Sequence, residues 1–177
     1  RELEHQLKDS GSKAIVIIEN FATTLQSCIA NTPVKHVVLC AMGDQLGFLK
    51  GMLVNYVVRN VKKLVPEYSL PGAVRFNDAI AKGQRGTFKP VDIKPDDIAL
   101  LQYTGGTTGV SKGAVLLHRN VIANVLQAEA WNEPVMKSLP AGEQPTSICA
   151  LPLYHIFAFT VNMMLGMRTG GKVILIP

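Results

Sequence analysis

Apolar and polar positions follow one another in a pattern that predicts short strands separated by helices. Residues 14–18 are an apolar run rich in β-branched side chains, and residues 36–42 are a second, mainly apolar run that ends before Gly43 and Asp44; such runs are too short for helices. They are typical of buried strands in a parallel sheet. Residues 21–30, between the two runs, have a helical pattern that ends at Thr32 and Pro33. This order predicts the α/β class, with a doubly wound, mostly parallel sheet and helices on both faces.

The same alternation continues along the rest of the chain. Further helices are predicted over residues 1–10, 74–81, 118–131 and 155–167, and further strands over residues 98–101, 147–151 and 172–176. Residues 82–96 and 133–145 are predicted loops, and the second of them contains three prolines. We divide the chain into a first part, residues 1–96, and a second part, residues 97–177.

Residues 48–65 predict a helix with one apolar and one basic side. Its apolar residues recur every four positions: Leu49, Leu53, Val57, Val61 and Val65. Arg59, Lys62 and Lys63 project from the opposite side, and the span contains no acidic residue. A basic amphipathic helix of this kind can lie in the interface of an anionic membrane. The alternative is a surface helix whose apolar side packs on the core while its lysines face water.

Composition narrows the classes of partner. The chain has 177 residues and a net charge of +5, which permits anionic partners, namely ATP, coenzyme A, an acidic membrane surface or nucleic acid, without choosing among them. The sequence has neither zinc-finger spacing nor an aromatic-and-basic RNA-binding signature, so we expect no nucleic-acid partner. Its three cysteines are widely spaced, which indicates reduced thiols in a cytoplasmic protein rather than a disulfide framework.

The most distinctive part of the sequence is a glycine-rich segment, residues 103–114, which follows the predicted strand 98–101. It consists of Tyr103, Thr104, Gly105, Gly106, Thr107, Thr108, Gly109, Val110, Ser111, Lys112, Gly113 and Ala114. Glycines let the backbone approach a ligand closely, hydroxyls add donors and Lys112 adds a positive charge, which together suit a phosphate. The segment is not a Walker loop, because Lys112 is followed by Gly113. The alternative interpretation is a flexible linker between two elements.

The glycine-rich segment closely resembles the signature loop of the acyl-adenylate-forming enzymes. Residues 151–157, Leu-Pro-Leu-Tyr-His-Ile-Phe, resemble the next motif of that family. Nearly the whole chain is similar to bacterial long-chain fatty-acid–CoA ligases. The resemblance implies an AMP-forming acid–thiol ligase, in which a fatty acid and ATP give an acyl-adenylate whose acyl group is transferred to coenzyme A.

The resemblance also implies roles for individual residues. Residues 103–114 would bind ATP, with Thr104 to Gly109 around its phosphates and Lys112 acting in catalysis. Thr107 would contact Mg²⁺ through its hydroxyl, and His155 would lie in the substrate pocket near the carboxylate. For His155 the alternative is a histidine that caps local backbone groups.

Three parts of the family pattern are absent from this sequence. They are the Mg²⁺-binding glutamate of a tyrosine-glycine-x-threonine-glutamate motif, an aspartate that binds ribose, and a lysine of a small C-terminal domain. We therefore expect a piece of the large N-terminal domain that is inactive by itself, from a cytoplasmic enzyme with peripheral contact at the inner face of a membrane. Two alternatives stay open: a ligase for another carboxylic acid, and a non-catalytic module that binds phosphate or membrane.

Overall fold

The computed structural model describes residues 2–104, 109–140 and 142–176, and it divides the chain into two units. The first unit holds Arg1–Val91 and the segment Gly106–Ser111, and the second holds Asp92–Gly105 and Lys112–Pro177. Each unit combines helices with strands, and parallel strands occur in both. The predicted α/β class with parallel strands is therefore confirmed.

The first unit is built on a three-stranded parallel sheet in the order β1-β2-β3. Its elements are α1 (Glu2–Asp9), β1 (Ala14–Ile18), α2 (Ala22–Gln26), β2 (His36–Cys40), α3 (Phe48–Tyr56), β3 (Val74–Arg75) and α4 (Phe76–Gln84). Strands β1 and β2 pair in register from Ala14 opposite His36 to Ile18 opposite Cys40. The core that covers this sheet consists of Leu7, Ala22, Leu25, Val37 and Leu39. These are the alternate strand positions and the helix positions that the apolar pattern places on one side.

The helix predicted over residues 21–30 is interrupted. One 3₁₀ turn (Glu19–Phe21) precedes α2, and a second (Ile29–Asn31) follows it. The hydroxyl of Ser27 donates to the carbonyl of Thr24 (2.8 Å), and the thiol of Cys28 donates to the same oxygen (3.4 Å). Side chains that satisfy a helical carbonyl compete with the next turn, so α2 ends at Gln26.

The predicted helix 48–65 begins at Phe48 but ends four residues early. Helix α3 widens into a π-helical turn over Val57–Val61, and Lys63 then adopts a left-handed conformation with φ of 50°. A left-handed residue terminates a helix, which is why the pattern does not continue to Val65. The buried side of the helix is formed by Gly51 and Val58.

Two glycines let α3 approach the end of β2. A Cβ atom on either Gly43 or Gly51 would overlap the carbonyl oxygen of the other residue. The amide oxygen of Asn55 accepts a hydrogen bond from the backbone N–H of Gly43 (2.7 Å). The close approach therefore depends on the absence of side chains at both positions.

The described residues of the second unit form two pairs of strands and two helices. Its elements are β4 (Ile98–Thr104), β5 (Lys112–Leu117), α5 (His118–Ser138), β6 (Thr146–Cys149), a π-helical turn (Ala158–Met164) that leads into α6 (Leu165–Thr169), and β7 (Lys172–Leu175). Strands β6 and β7 pair in parallel, whereas β4 and β5 are antiparallel. Sequence reasoning missed β5 and placed the helix directly after the glycine-rich segment.

The predicted loop over residues 133–145 is wrong in its first part. Helix α5 continues through Pro134 to Ser138. Proline removes one backbone N–H from a helix interior, and the packing of α5 against Ala158–Met164 and α6 compensates for that loss. Among the described residues no helix is both long enough and apolar enough to cross a bilayer.

Candidate active site

The two strands β4 and β5 bring both ends of the glycine-rich segment together. Thr104 pairs with Lys112 in the antiparallel ladder, and Gln102 pairs with Ala114. Side chains that are directly opposite in such a ladder lie on the same face of the sheet. Thr104 and Lys112 are both exposed, and no acidic side chain of the described residues forms an ion pair with Lys112. A hydroxyl and an uncompensated ammonium group therefore lie side by side where the segment begins and ends.

The aromatic ring of Tyr103 leaves little room for a side chain at Gly113. The two residues are paired across the ladder, and a Cβ atom on Gly113 would lie 3.0 Å from Cζ of Tyr103. Such a distance is too short for ordinary van der Waals contact. The ring of Tyr103 therefore covers the backbone of Gly113, and Gly113 acts in packing.

The last residue before β5 is bound by the first helix of the chain. Nε2 of His5, on α1, lies 2.9 Å from the carbonyl oxygen of Ser111, and the contact is partly buried. Because a carbonyl oxygen can only accept, the imidazole donates from Nε2. Sequence reasoning gave His5 no functional role, and no local signal could have revealed it, since 106 positions separate the two residues.

His155 lies at the start of the helical segment that precedes Ala158. Its Nδ1 accepts a hydrogen bond from the backbone N–H of Phe157 (3.2 Å), so the ring caps local backbone as the alternative interpretation anticipated. In the neutral ring this leaves the proton on Nε2. The side chain is exposed. The hydrogen bond from Phe157 fixes the ring through Nδ1 and does not involve Nε2.

The second unit also joins the two motifs that carry the resemblance. The amide of Gln102, on β4, donates to the carbonyl oxygen of Tyr154 (3.3 Å). This bond ties the strand that enters the glycine-rich segment to the residue before His155. The two motifs are therefore neighbours in space.

Four predicted ATP-binding residues, Gly105, Gly106, Thr107 and Thr108, lie outside the described residues. The predicted Mg²⁺ contact, Thr107, is among them. Within the residues that the structure describes, no three or more His, Cys, Asp or Glu side chains are grouped to hold a metal ion.

Comparison with known proteins decides the family. The family model described as "AMP-binding enzyme" matches residues 1–177. The chain belongs to the AMP-binding enzyme family. The predicted membership of the acyl-adenylate-forming (AMP-binding) superfamily is confirmed by this match.

The relatives of this chain include CoA ligases from bacteria and from a plant. The chain is 52% identical to a long-chain-fatty-acid–CoA ligase of Escherichia coli O157:H7 over 176 residues, which cover 99% of this chain and 31% of that protein. It is 30% identical to 4-coumarate–CoA ligase 2 of Oryza sativa subsp. japonica, covering 100% of this chain and 28% of the relative. The chain thus spans about a third of the length of these relatives.

Solved structures show the same fold. The anthranilate CoA ligase AuaEII in complex with anthranoyl-AMP superimposes with a TM-score of 0.67 at 22% identity, covering 98% of this chain and 28% of that one. ATP-bound MatB from Rhodopseudomonas palustris gives a TM-score of 0.66 at 22% identity, covering 99% and 27%. At these identities the structural similarity supports the α/β fold of the chain.

Proposed function

We propose that this chain is part of a long-chain fatty-acid–CoA ligase. The observation that carries the proposal is the 52% identity with the E. coli ligase across 99% of the chain. The reaction has two halves. A carboxylate oxygen of the fatty acid attacks the α-phosphorus of ATP. The bond between that phosphorus and the oxygen that bridges to the β-phosphate breaks, and pyrophosphate leaves. The thiol sulfur of coenzyme A then attacks the acyl carbonyl carbon and releases AMP.

We propose a part for two described residues in the first half-reaction. Negative charge grows on pyrophosphate as it departs, and preorganised cations and donors lower the barrier for such a step. Lys112 has no acidic partner among the described residues and lies across the ladder from Thr104. We propose that Lys112 stabilises that charge and that Thr104 forms a hydrogen bond with a phosphate oxygen. Thr107 is proposed as a contact of Mg²⁺ on the strength of the family resemblance.

His155 is proposed to lie beside the substrate carboxylate. Its Nδ1 is occupied by the backbone N–H of Phe157, so the ring would approach substrate with Nε2. A neutral Nε2–H can donate to a carboxylate or phosphate oxygen. In this role the histidine orients substrate and needs no change of protonation.

The proposal extends to location and to a membrane partner. We propose a cytoplasmic enzyme that contacts an anionic membrane peripherally through α3. The apolar residues Phe48, Leu49 and Leu53 are 83%, 72% and 63% exposed in this chain. Arg59 was predicted to belong to the basic side of this helix, and that prediction needs correction. Its guanidinium is bound by the buried carboxylate of Glu19. Lys62 and Lys63 stay available for anionic lipid.

A second candidate is a ligase for another carboxylic acid. The 30% identity to 4-coumarate–CoA ligase 2 supports this alternative. The test is an acyl-CoA assay of the full-length protein with ATP, coenzyme A and either oleate or 4-coumarate. Oleoyl-CoA formation is the expected result. Coumaroyl-CoA without oleoyl-CoA would favour the second candidate, and no AMP release with either acid would favour a non-catalytic module.

A further inference from the structure

The first unit has a polar groove that no step of the proposed reaction uses. It has a volume of about 850 Å³ and begins where β1 ends. Its charged residues are Glu19, Arg59, Lys63, Glu67 and Arg75, and Tyr68 adds an aromatic ring. We call this the basic groove, because three of its five charged side chains are cations.

The floor of the basic groove is an ion-pair cluster. Glu19 is 1% exposed, and Arg59 binds its carboxylate in a fork, with Nε at 2.8 Å from Oε1 and Nη2 at 2.9 Å from Oε2. Arg75 adds a third bond, from Nη1 to Oε2 at 3.0 Å. Hydrogen bonding to Glu19 raises the pKa of Arg59 above its ordinary value. The hydrogen bonds to Glu19 hold both guanidinium groups in fixed positions.

The cluster leaves positive charge and donors unused. One carboxylate is shared by two guanidinium groups, and each guanidinium carries five N–H donors. Arg75 contributes only Nη1 to Glu19, and its side chain is 51% exposed. The remaining donors of Arg75 therefore have room to meet an anion in the groove.

Lys63 is the third cation, and its backbone geometry is unusual. Lys63 has a φ of 50°, a left-handed conformation that costs free energy in any residue with a Cβ atom. Two hydrogen bonds fix the residue that follows it: the N–H of Leu64 donates to the carbonyl of Val58 (2.9 Å), and the amide of Asn20 donates to the carbonyl of Leu64 (3.1 Å). The preceding π-helical turn carries Arg59, and such turns are frequent at functional sites.

We propose that the basic groove binds a phosphomonoester group, with Arg75 and Lys63 as its direct ligands and Arg59 as supporting charge. Planar guanidinium and mobile ammonium donors are the usual protein partners of phosphate oxygens. The same chemistry is offered by a soluble phosphate and by the headgroup of phosphatidic acid. The inference does not depend on the ligase reaction, since none of these residues belongs to the glycine-rich segment.

The experiment compares two forms of phosphate on the full-length protein. Equilibrium dialysis with inorganic phosphate measures the soluble arm, and co-sedimentation with vesicles of phosphatidic acid or of phosphatidylglycerol, each in phosphatidylcholine, measures the lipid arm. The variants are Lys63→Gln and Arg75→Gln, with Lys82→Gln on α4 as the matched control that removes one charge from the same unit. Phosphate bound elsewhere contributes equally to all four proteins and cancels in the comparison.

Each outcome decides the proposal. Lys63→Gln and Arg75→Gln should each weaken phosphate binding about tenfold, because a charge-assisted hydrogen bond is worth roughly that factor, while Lys82→Gln should change nothing. Glu67→Gln, which removes an exposed acid from the groove and leaves the ion-pair cluster intact, should tighten binding. Weaker binding only in the dialysis with inorganic phosphate would identify a soluble phosphate as the ligand. Weaker binding only to the phosphatidic acid vesicles would identify the lipid headgroup. Equal binding by wild type, Lys63→Gln and Arg75→Gln in both arms would overturn the proposal.

Discussion

His5 and Ser111 are joined by a hydrogen bond of 2.9 Å although 106 positions separate them in sequence. The bond fixes the end of the glycine-rich segment to α1. We predict that His5→Ala lowers the rate of ATP–pyrophosphate exchange about fivefold in the full-length protein, since one neutral hydrogen bond contributes about 1 kcal/mol. The effect should fall mainly on KM for ATP.

Two variants separate this positioning role from a general loss of stability. His5→Gln keeps a side-chain N–H that can donate to the same carbonyl, so it should restore most of the exchange rate. His36→Ala removes an exposed histidine at the start of β2 and should leave the rate unchanged. Equal losses in His5→Ala and His5→Gln would indicate that the bond has no part in positioning the segment.

Lys112 is expected to have a larger effect than His5. Lys112→Ala should lower ATP–pyrophosphate exchange by about 10²–10³-fold, the scale for removing one preorganised group that stabilises developing negative charge. Thermal unfolding should change little, because the side chain is exposed and forms no ion pair among the described residues. Lys137→Ala, an exposed lysine on α5, is the control. If Lys112→Ala exchanges at the wild-type rate, the glycine-rich segment acts without its lysine.

Gly113→Ala should reduce stability through a clash with Tyr103. The added methyl group would lie 3.0 Å from the ring, and overpacking of this kind costs about 1–3 kcal/mol. Urea unfolding measures the change in free energy. In the double variant with Tyr103→Ala the clash is relieved, so the two changes should be non-additive. Gly83→Ala in α4, where a methyl group meets no atom within 4 Å, is the matched control and should be neutral or stabilising.

The membrane proposal is best tested through the apolar side of α3. Replacing Phe48 and Leu49 with serine should lower co-sedimentation of the full-length protein with phosphatidylglycerol vesicles, because each side chain would otherwise bury apolar area worth about 1.5–3 kcal/mol. Binding should also weaken as salt rises. Retention of wild-type co-sedimentation by the double serine variant would mean that α3 contacts protein and not lipid. Circular dichroism confirms that the variant is folded.

Local pattern predicted the elements whose cause is local. Strand β1 was predicted because five consecutive apolar residues, four of them β-branched, favour extended backbone, and β2 was predicted from the apolar residues that follow His36. The predictions failed where side chains or packing override that pattern. Ser27 and Cys28 divide the helix after β1, and tertiary packing carries α5 past Pro134.

The candidate site divides in the same way. The order of glycines, threonines and Lys112 in sequence was enough to predict a phosphate-binding segment. The contacts that hold it could not be predicted, because the partner of Ser111 is on α1 and the partner of Tyr154 is on β4. The cluster of Glu19, Arg59 and Arg75 was equally hidden, since Arg59 and Arg75 are 40 and 56 positions from Glu19 and only the tertiary structure brings them together.

Because Gly43 and Gly51 are in close contact, the two sides of α3 differ in the substitutions that they tolerate. Any side chain at either glycine would force the helix away from the end of β2, and Asn55 would then lose its bond to the backbone of Gly43. The outward positions of α3 carry no such restriction. A library that randomises α3 together with position 43 and selects for folded protein should therefore return glycine at positions 43 and 51 almost without exception, with wide variety at positions 48, 49 and 53. Redesign of α3, for solubility or for a new partner, is open on one side only.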